Sequence, residues 1–453
     1  MKKNRRFNSN GSYRLLGMRL RRCVIEQLAV LVGLVASATP IWAEEELLVR
    51  QLTLEAAITI AIRDNPSLAQ INARYDALQQ VPSQVSTLPD PTINLNAMNF
   101  PTDTFDRRQE AMTQMQLGFS QQIPFPGKLR LKKKVAEFDA MAAGHSVQEL
   151  RAQLRNKVAS KWWQLHYLDR ALETVANNQN LLRQFITVAK TKYETGEGLQ
   201  QDVLLAQLEL SELMDRVIQV EAIRQTQVIR LNILMDRLPS ERILLSALVS
   251  TNMPELREEA ELYDIGREMR SRLKVVQSKV DAAQSRLKLA KRNYYPDFMV
   301  GMTYGDRSGM NPLPRGDQRA DFASLMVGIK VPLYAGRKQA RAVAQRRSEL
   351  AGIQHAQRDE TGIILAQIST AINDYHRAKQ QFLLFETGII PQARQTVASM
   401  LAGYQVNQVD FLNLVGSQIT LFNYELQYWK ALSEANQALA RLQAAVGEES
   451  IYE

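Results

Sequence analysis

The chain repeats itself, with two halves that follow each other at a spacing of about 208 residues. Three short stretches recur in the same order, and the matched pairs are 88–90 with 295–297, 119–124 with 327–332, and 193–207 with 404–418. We place the first copy at 44–250 and the second at 251–453. Because both copies carry the same order of patterns, any fold has to accommodate each element twice.

Each half contains two segments in which apolar and polar side chains alternate, the period of a β-strand with one apolar face. The predicted strands are 92–100 and 113–123 in the first half, and 298–304 and 325–331 in the second. Polar loops join the members of each pair. We expect the apolar faces to contact lipid, at residues that include Leu117, Phe119, Val327 and Ile329.

Helical patterns fill the rest of the chain. Each half opens with a shorter helical stretch, at 54–87 and 261–293, and Asn65-Pro66 is a potential break in the first. Two long stretches, 128–194 and 338–403, would each extend ~100 Å at ~1.5 Å per residue. Each turns back into a shorter helix, which gives the predicted hairpins 128–236 and 338–446. The fold class is therefore α+β and mostly α, with long antiparallel helices packed as in a coiled coil.

The first 43 residues have the order of a secretory signal peptide: a basic stretch, an apolar run at 28–38 and a small-residue site at Ala43. Removing residues 1–43 leaves 48 Lys and Arg against 46 Asp and Glu, a net charge of +2. The overall charge of +9 is therefore no evidence for nucleic-acid binding. Cys23, the only cysteine, lies in the same segment, so the mature chain holds neither a disulfide nor a thiolate metal site.

No stretch after residue 43 is long and apolar enough for a transmembrane helix, which leaves a periplasmic, a secreted or a β-barrel outer-membrane protein. Four strands cannot close a barrel, and an open sheet in lipid leaves unpaired edges that cost several kcal/mol per group. Three chains would give a barrel of 12 strands with a water-filled lumen. The long helices would then continue that lumen into the periplasm.

The sequence resembles the TolC family of outer-membrane efflux proteins over essentially the whole mature chain. The resemblance lies in 52–57 followed by Asn65-Pro66, in the strand-to-helix junctions 121–129 and 331–336, and in 193–207, which looks like the tip of the family's helical hairpin. The junction 121–129 is most similar to the heavy-metal efflux branch that includes CzcC and CusC.

The resemblance implies a homotrimer with a β-barrel in the outer membrane, an equatorial domain and an α-helical tunnel in the periplasm. It also implies two protein partners, a periplasmic adaptor and an inner-membrane pump, of the RND type in the heavy-metal branch. No cofactor is expected. The implied function is a passive channel of a tripartite efflux system that exports small substrates, with heavy-metal cations as the substrate of the similar branch.

The hairpin tips hold the candidate pore entrance. Gly196 and Gly198 suit a tight turn with positive φ, and Asn407 takes the same place in the second hairpin, where an adaptor would make contact. Asp202 and Asp410 lie near the two tips, as capping residues or as members of an acidic ring that favours cations.

TolC itself carries two acids in the second returning helix, at the positions of Asn413 and Gly416 here. The chain departs from the family at both positions, and Asp410, one turn before Asn413, is the substitute candidate. Tyr404 matches a tip tyrosine of the family, with packing inside the hairpin as the other interpretation.

The four histidines, His145, His166, His355 and His376, show no i, i+4 pairing, so we expect helix-surface positions rather than a metal site. Neither a phosphate loop, a nucleophile elbow nor an HExxH motif occurs, so no enzyme activity is predicted.

The run of Lys and Arg at 128–134 either faces anionic headgroups or is a solvated helix face. Three functions stay open: a metal-efflux channel, the channel of a drug-efflux or type I secretion system, and a periplasmic coiled-coil scaffold that never enters the membrane.

Overall fold

The computed structural model describes residues 51–246, 249–448 and 451–452. The predicted signal peptide, 1–43, lies outside the described residues. Ten α-helices and four strands are described in these ranges, in the order α1 Leu54–Asp64, α2 Pro66–Gln79, α3 Val81–Ser86, β1 Thr92–Met98, β2 Gln114–Ile123, α4 Lys128–Glu194, α5 Gln200–Leu234, α6 Glu259–Met269, α7 Ser271–Arg292, β3 Asp297–Asp306, β4 Phe322–Lys330, α8 Gln339–Leu384, α9 Ile390–Gln405 and α10 Phe411–Val446. The mostly helical fold with four strands is confirmed. No helix in this part of the chain is both long enough and apolar enough to cross a membrane.

The helical stretches that open each half are broken into shorter helices. At the first break Asn65 caps α2: its Oδ1 accepts hydrogen bonds from the backbone N–H groups of Ser67 and Leu68, at 3.0 and 3.2 Å, and Pro66 starts the helix. The expectation of one helix over 261–293 is wrong, because the chain is extended at Arg270, between α6 and α7. The Arg270 guanidinium is buried there and donates to Glu149 at 2.8 Å, so a tertiary ion pair holds the break.

The two long arms differ in their regularity. α4 runs for 67 residues without interruption, whereas the second arm, predicted as one stretch over 338–403, contains a π-helical turn at Phe385–Ile389 between α8 and α9. Pro391 explains the difference, since it has no N–H and its ring collides with the carbonyl one turn earlier in an α-helix. One extra residue in the preceding turn removes that collision and keeps the arm helical.

The four strands form one antiparallel sheet in the order β1-β2-β3-β4, which leaves β1 and β4 as its edges. The register aligns Ile93, Phe119, Met302 and Leu325 in one row across all four strands. The next row, on the opposite face, is Asn94, Gly118, Thr303 and Ser324. The sheet therefore has one apolar face and one face of polar or small residues that also carries Met299 and Met326. The apolar face is exposed, with Leu95 and Leu325 at 77% and 78%.

The strand ends depart slightly from the predicted bounds. β1 ends at Met98 rather than at residue 100, because Asn99 has a φ of 57° and leaves the extended conformation. β4 starts at Phe322, three residues earlier than predicted, because Phe322, Ala323 and Ser324 pair with the extended end of β3.

The main core lies between the long helices, where α4, α5, α8 and α10 bury Trp162, Leu231, Phe382 and Leu432. His166 belongs to this core, and the expectation of a helix-surface position is wrong for it. Its ring is 2% exposed and stacks on Trp162 at 5.7 Å. Burial lowers the pKa of His166 to about 4, with the nearby Arg170 charge as the second cause, so the imidazole is neutral at pH 7.

Candidate functional site at the hairpin tips

The ends of the two long arms have the same backbone design. After α4 and after α9 one residue has left-handed φ, Gly196 at 75° and Asn407 at 59°. The N–H of the following residue donates to the carbonyl five residues earlier, from Glu197 to Lys192 and from Gln408 to Gly403, both at 2.9 Å. This is a Schellman ending, and glycine and asparagine are the residues that tolerate its left-handed position.

Gly198 is required for a different reason from the one expected. Its φ is not positive, but a Cβ on it would lie 2.8 Å from Cβ of Lys192. In the second repeat the glycine of this contact is on the helix instead of in the turn. Val409 occupies the position that corresponds to Gly198, and Gly403 the position that corresponds to Lys192. Both turns therefore fold back closely onto the helix end, and one glycine permits each contact.

Lys192 links the two tips, and it is buried between them, at 9% exposure. Its Nζ donates to the carbonyl oxygen of Tyr404 at 2.6 Å and to Oδ1 of Asn407, and it lies 4.6 Å from the centre of the Tyr404 ring. Our sequence reasoning missed this residue. The available signal was the break in the duplication, a lysine in one repeat where the other has Gly403.

Tyr404 is buried, at 5% exposure, and its ring packs against Phe411 with the ring centres 5.1 Å apart. Its hydroxyl donates a long hydrogen bond of 3.5 Å to Oδ2 of Asp202. Burial raises the pKa of Tyr404 to about 12, and the Asp202 charge adds to the shift. Burial likewise raises the pKa of Asp202, and the neighbouring carboxylate of Asp410 contributes.

Asp410 and Asn413 are exposed at the start of α10. Asp410 occupies the position before the helix, yet its side chain caps no backbone N–H. Asn413 lies one turn later and is the counterpart of Asp202 in the duplication. Within the described ranges neither Asp202 nor Asp410 forms an ion pair, although the buried ammonium of Lys192 is close enough to act on Asp202 electrostatically.

The structure thus brings Asp202, Tyr404, Lys192 and Asn407 into one bonded cluster, with Asp410 close enough to act on Asp202 electrostatically. Asn413 lies beside the cluster without a side-chain bond to it. Among the residues that the structure describes, no three His, Cys, Asp or Glu side chains converge where they could hold a metal ion. The cluster holds the two hairpin tips together through the Lys192 ammonium and the Tyr404 hydroxyl.

Comparison with solved structures identifies the fold. CusC superposes with a TM-score of 0.74 at 12% identity, covering 87% of this chain and 92% of that one. The outer membrane protein VceC of Vibrio cholerae gives a TM-score of 0.71 at 18% identity and covers 87% and 96%.

Comparison of sequences identifies a relative and a family. The chain is 20% identical to the cobalt-zinc-cadmium resistance protein CzcC of Cupriavidus metallidurans over 409 residues, 87% of this chain and 90% of the relative. The model of the outer membrane efflux protein family matches residues 57–235 and 262–448, one match in each half. The chain therefore belongs to the outer membrane efflux protein family.

Proposed function

We propose that the protein is a passive efflux channel that three copies form in the outer membrane, with the helices reaching into the periplasm. The observation that carries this proposal is the sheet, because its four strands turn every apolar row to one face and leave both edges, β1 and β4, unpaired. Pairing β4 of one copy with β1 of the next satisfies those edges. Members of the outer membrane efflux family are channels rather than enzymes.

A passive channel needs an energy source elsewhere, so we propose a periplasmic adaptor and an inner-membrane pump of the RND type as partners. The tip turns at Gly196, Gly198 and Asn407 are the proposed adaptor contacts, because they lie at the far end of the long arms from the sheet and because Gly196 and Asn407 are exposed. The outer-membrane location of the family excludes the periplasmic scaffold that never enters the membrane.

Heavy-metal cations are the proposed substrate. The support is the relative named for resistance to cobalt, zinc and cadmium, together with the carboxylates of Asp202 and Asp410 at the tips, which outnumber the one buried ammonium of Lys192 beside them and favour cations over anions. Expressing the gene in a strain that lacks its own metal-efflux channel, together with the matching adaptor and pump, should restore growth in zinc or cadmium. If it restores resistance to organic drugs or secretion of a peptide instead, the metal assignment is wrong and the alternative systems apply.

Oligomeric state tests the channel itself. The mass of the purified protein in detergent should correspond to three chains, because a single four-stranded sheet cannot close in lipid. A stable monomer that inserts into bilayers without conducting ions would contradict the channel proposal.

We propose that Asp410 and Asp202 form the acidic ring of the entrance, with Asn413 one turn further along and Tyr404 as the buried link behind it. Three copies would place six carboxylates around one opening, where the field of each adds to the others. In planar bilayers Asp410→Ala should weaken selectivity for cations and reduce block by trivalent ions, and the double variant with Asp202→Ala should do so more strongly.

Glu173→Ala is the matched control for this experiment, because it removes one carboxylate per chain from α4 about 30 Å before the tip. Unchanged selectivity in both single variants and in the double variant would remove the acidic ring and leave the channel proposal standing.

A further inference from the structure

The apolar face of the sheet continues past the strand ends into a cluster of aromatic rings. Phe298 belongs to the row formed with Ile123 and Ile329 on that face. Phe125 stacks on Phe298 with ring centres 6.5 Å apart, and Tyr295 stacks on Phe125 at 4.6 Å. These rings lie where the strands join the long helices, which is the periplasmic end of the sheet.

Arg292, the last residue of α7, lies over this cluster. Its guanidinium carbon is 5.4 Å from the ring centre of Phe125 and 5.3 Å from that of Tyr295, and Nε donates to the carbonyl oxygen of Pro126 at 3.3 Å. No carboxylate pairs with Arg292 anywhere in 51–246, 249–448 or 451–452. The rings and the carbonyl therefore hold the guanidinium in place, while its two terminal nitrogens remain as donors.

Lys128, the first residue of the basic run at 128–134, lies nearby but behaves differently. Lys128 is buried and its Nζ pairs with Asp297 at 2.8 Å, so it cannot meet a headgroup. The interpretation of the whole run 128–134 as one headgroup-facing strip is therefore wrong for its first member. What distinguishes Arg292 is that it stands on the apolar side of the sheet and is not neutralised.

The surroundings are positively charged. Three segments flank the strand ends, 124–136, 286–296 and 330–347, and together they hold fifteen Lys and Arg and not one Asp or Glu. Carboxylates outside these segments neutralise some of the cations. Asp139, for example, pairs with Arg286. The remaining excess attracts an anion to this level of the molecule.

We propose that Arg292, Phe125 and Tyr295 form a binding site for the headgroup of an anionic phospholipid in the periplasmic leaflet of the outer membrane. The guanidinium binds the phosphate, the aromatic rings occupy the depth at which such rings collect in membranes, and the acyl chains lie along the apolar face. The adjoining apolar face is what distinguishes a lipid from a free phosphate. The proposal uses the outer-membrane location and does not depend on metal transport or on the acidic entrance.

Native mass spectrometry of the full-length protein tests the site, after equilibration with phosphatidylglycerol or with zwitterionic phosphatidylethanolamine of the same acyl chains. The wild type should retain more phosphatidylglycerol than phosphatidylethanolamine. Arg292→Gln should reduce the affinity for phosphatidylglycerol about fivefold, the change that one cation contributes near an anionic surface. Arg183→Gln removes an exposed arginine about 80 Å away along α4 and should leave lipid retention unchanged.

Two further variants keep the outcome interpretable. Arg292→Lys keeps the charge and should retain most of the preference, and Phe125→Leu keeps an apolar side chain but removes the ring under the guanidinium, so it should weaken binding. Equal retention of the two lipids by the wild type, or equal loss in Arg292→Gln and Arg183→Gln, would overturn the proposal. So would displacement of phosphatidylglycerol by millimolar inorganic phosphate, since the site would then take the free anion. Metal export that continues in a variant without lipid preference would leave the proposed function intact.

Discussion

Replacing Lys192 by Met should loosen the link between the two hairpin tips. Methionine fills a similar volume but donates no hydrogen bond, so the Tyr404 carbonyl, now 2.6 Å from Nζ, and Oδ1 of Asn407 lose their donor. Hydrogen bonds to a charged donor contribute about 1.5–3 kcal/mol each and the contact with the Tyr404 ring about 0.5–2 kcal/mol, whereas keeping an ammonium buried costs several kcal/mol. We expect a net loss of about 2 kcal/mol, which is roughly a thirtyfold rise in the population with separated tips.

Amide hydrogen exchange measures this population directly. Peptides that cover 404–413 should exchange about thirtyfold faster in Lys192→Met, while peptides from the core around Trp162 keep their wild-type rates. Lys190→Met is the matched control, because Lys190 lies on the same helix, is exposed and reaches Glu194 only at 3.7 Å. In planar bilayers the Lys192 variant should also spend more time in conducting states.

Unchanged exchange in Lys192→Met would refute the assignment of Lys192 as the link. Equal acceleration in Lys190→Met would show that the tip responds to any lost charge rather than to this contact.

Three further predictions concern the sheet and the core. Val327→Arg places a charge at the middle of β4 on the apolar face and should cost about 2–4 kcal/mol in membrane insertion, measured as the yield of folded protein in vesicles, whereas Gln116→Arg on the opposite face should cost little. The pKa of His166 lies near 4 in the folded chain and near 6.5 when unfolded, so the unfolded state binds more protons between these values. Stability should therefore fall by up to about 3 kcal/mol as the pH drops from 6.5 to 4, and His166→Gln should flatten this dependence in thermal melts. Glu149→Ala leaves the buried Arg270 guanidinium unpaired and should lower stability by about 3–5 kcal/mol, with the Glu149→Ala, Arg270→Ala double variant recovering part of the loss.

The elements that follow local rules could be predicted from the sequence. The α4 stretch contains no proline, Asn65-Pro66 carries both a capping side chain and a helix-starting ring, and period-two alternation identified all four strands. The left-handed turn at Gly196 follows equally from the absence of a Cβ.

The features that the sequence did not predict depend on residues far along the chain. The break at Arg270 is held by Glu149, 121 residues away, and no local pattern marks it. Lys192 bonds to residues more than 210 positions later, and His166 is buried by helices whose packing the sequence pattern does not specify. The predicted reason for the glycine at 198 was wrong. A glycine required by a close contact and a glycine required by a positive φ cannot be distinguished from the sequence.

The two free edges of the sheet have a genetic consequence. If three copies close one ring, each copy supplies β4 to one neighbour and β1 to the other, so one faulty edge opens the ring wherever it is incorporated. In a cell that makes normal and edge-defective chains in equal amounts and mixes them at random, only about one ring in eight contains three normal copies. Substitutions at the β1 or β4 edge should therefore be dominant, whereas substitutions that merely prevent a chain from folding should be recessive.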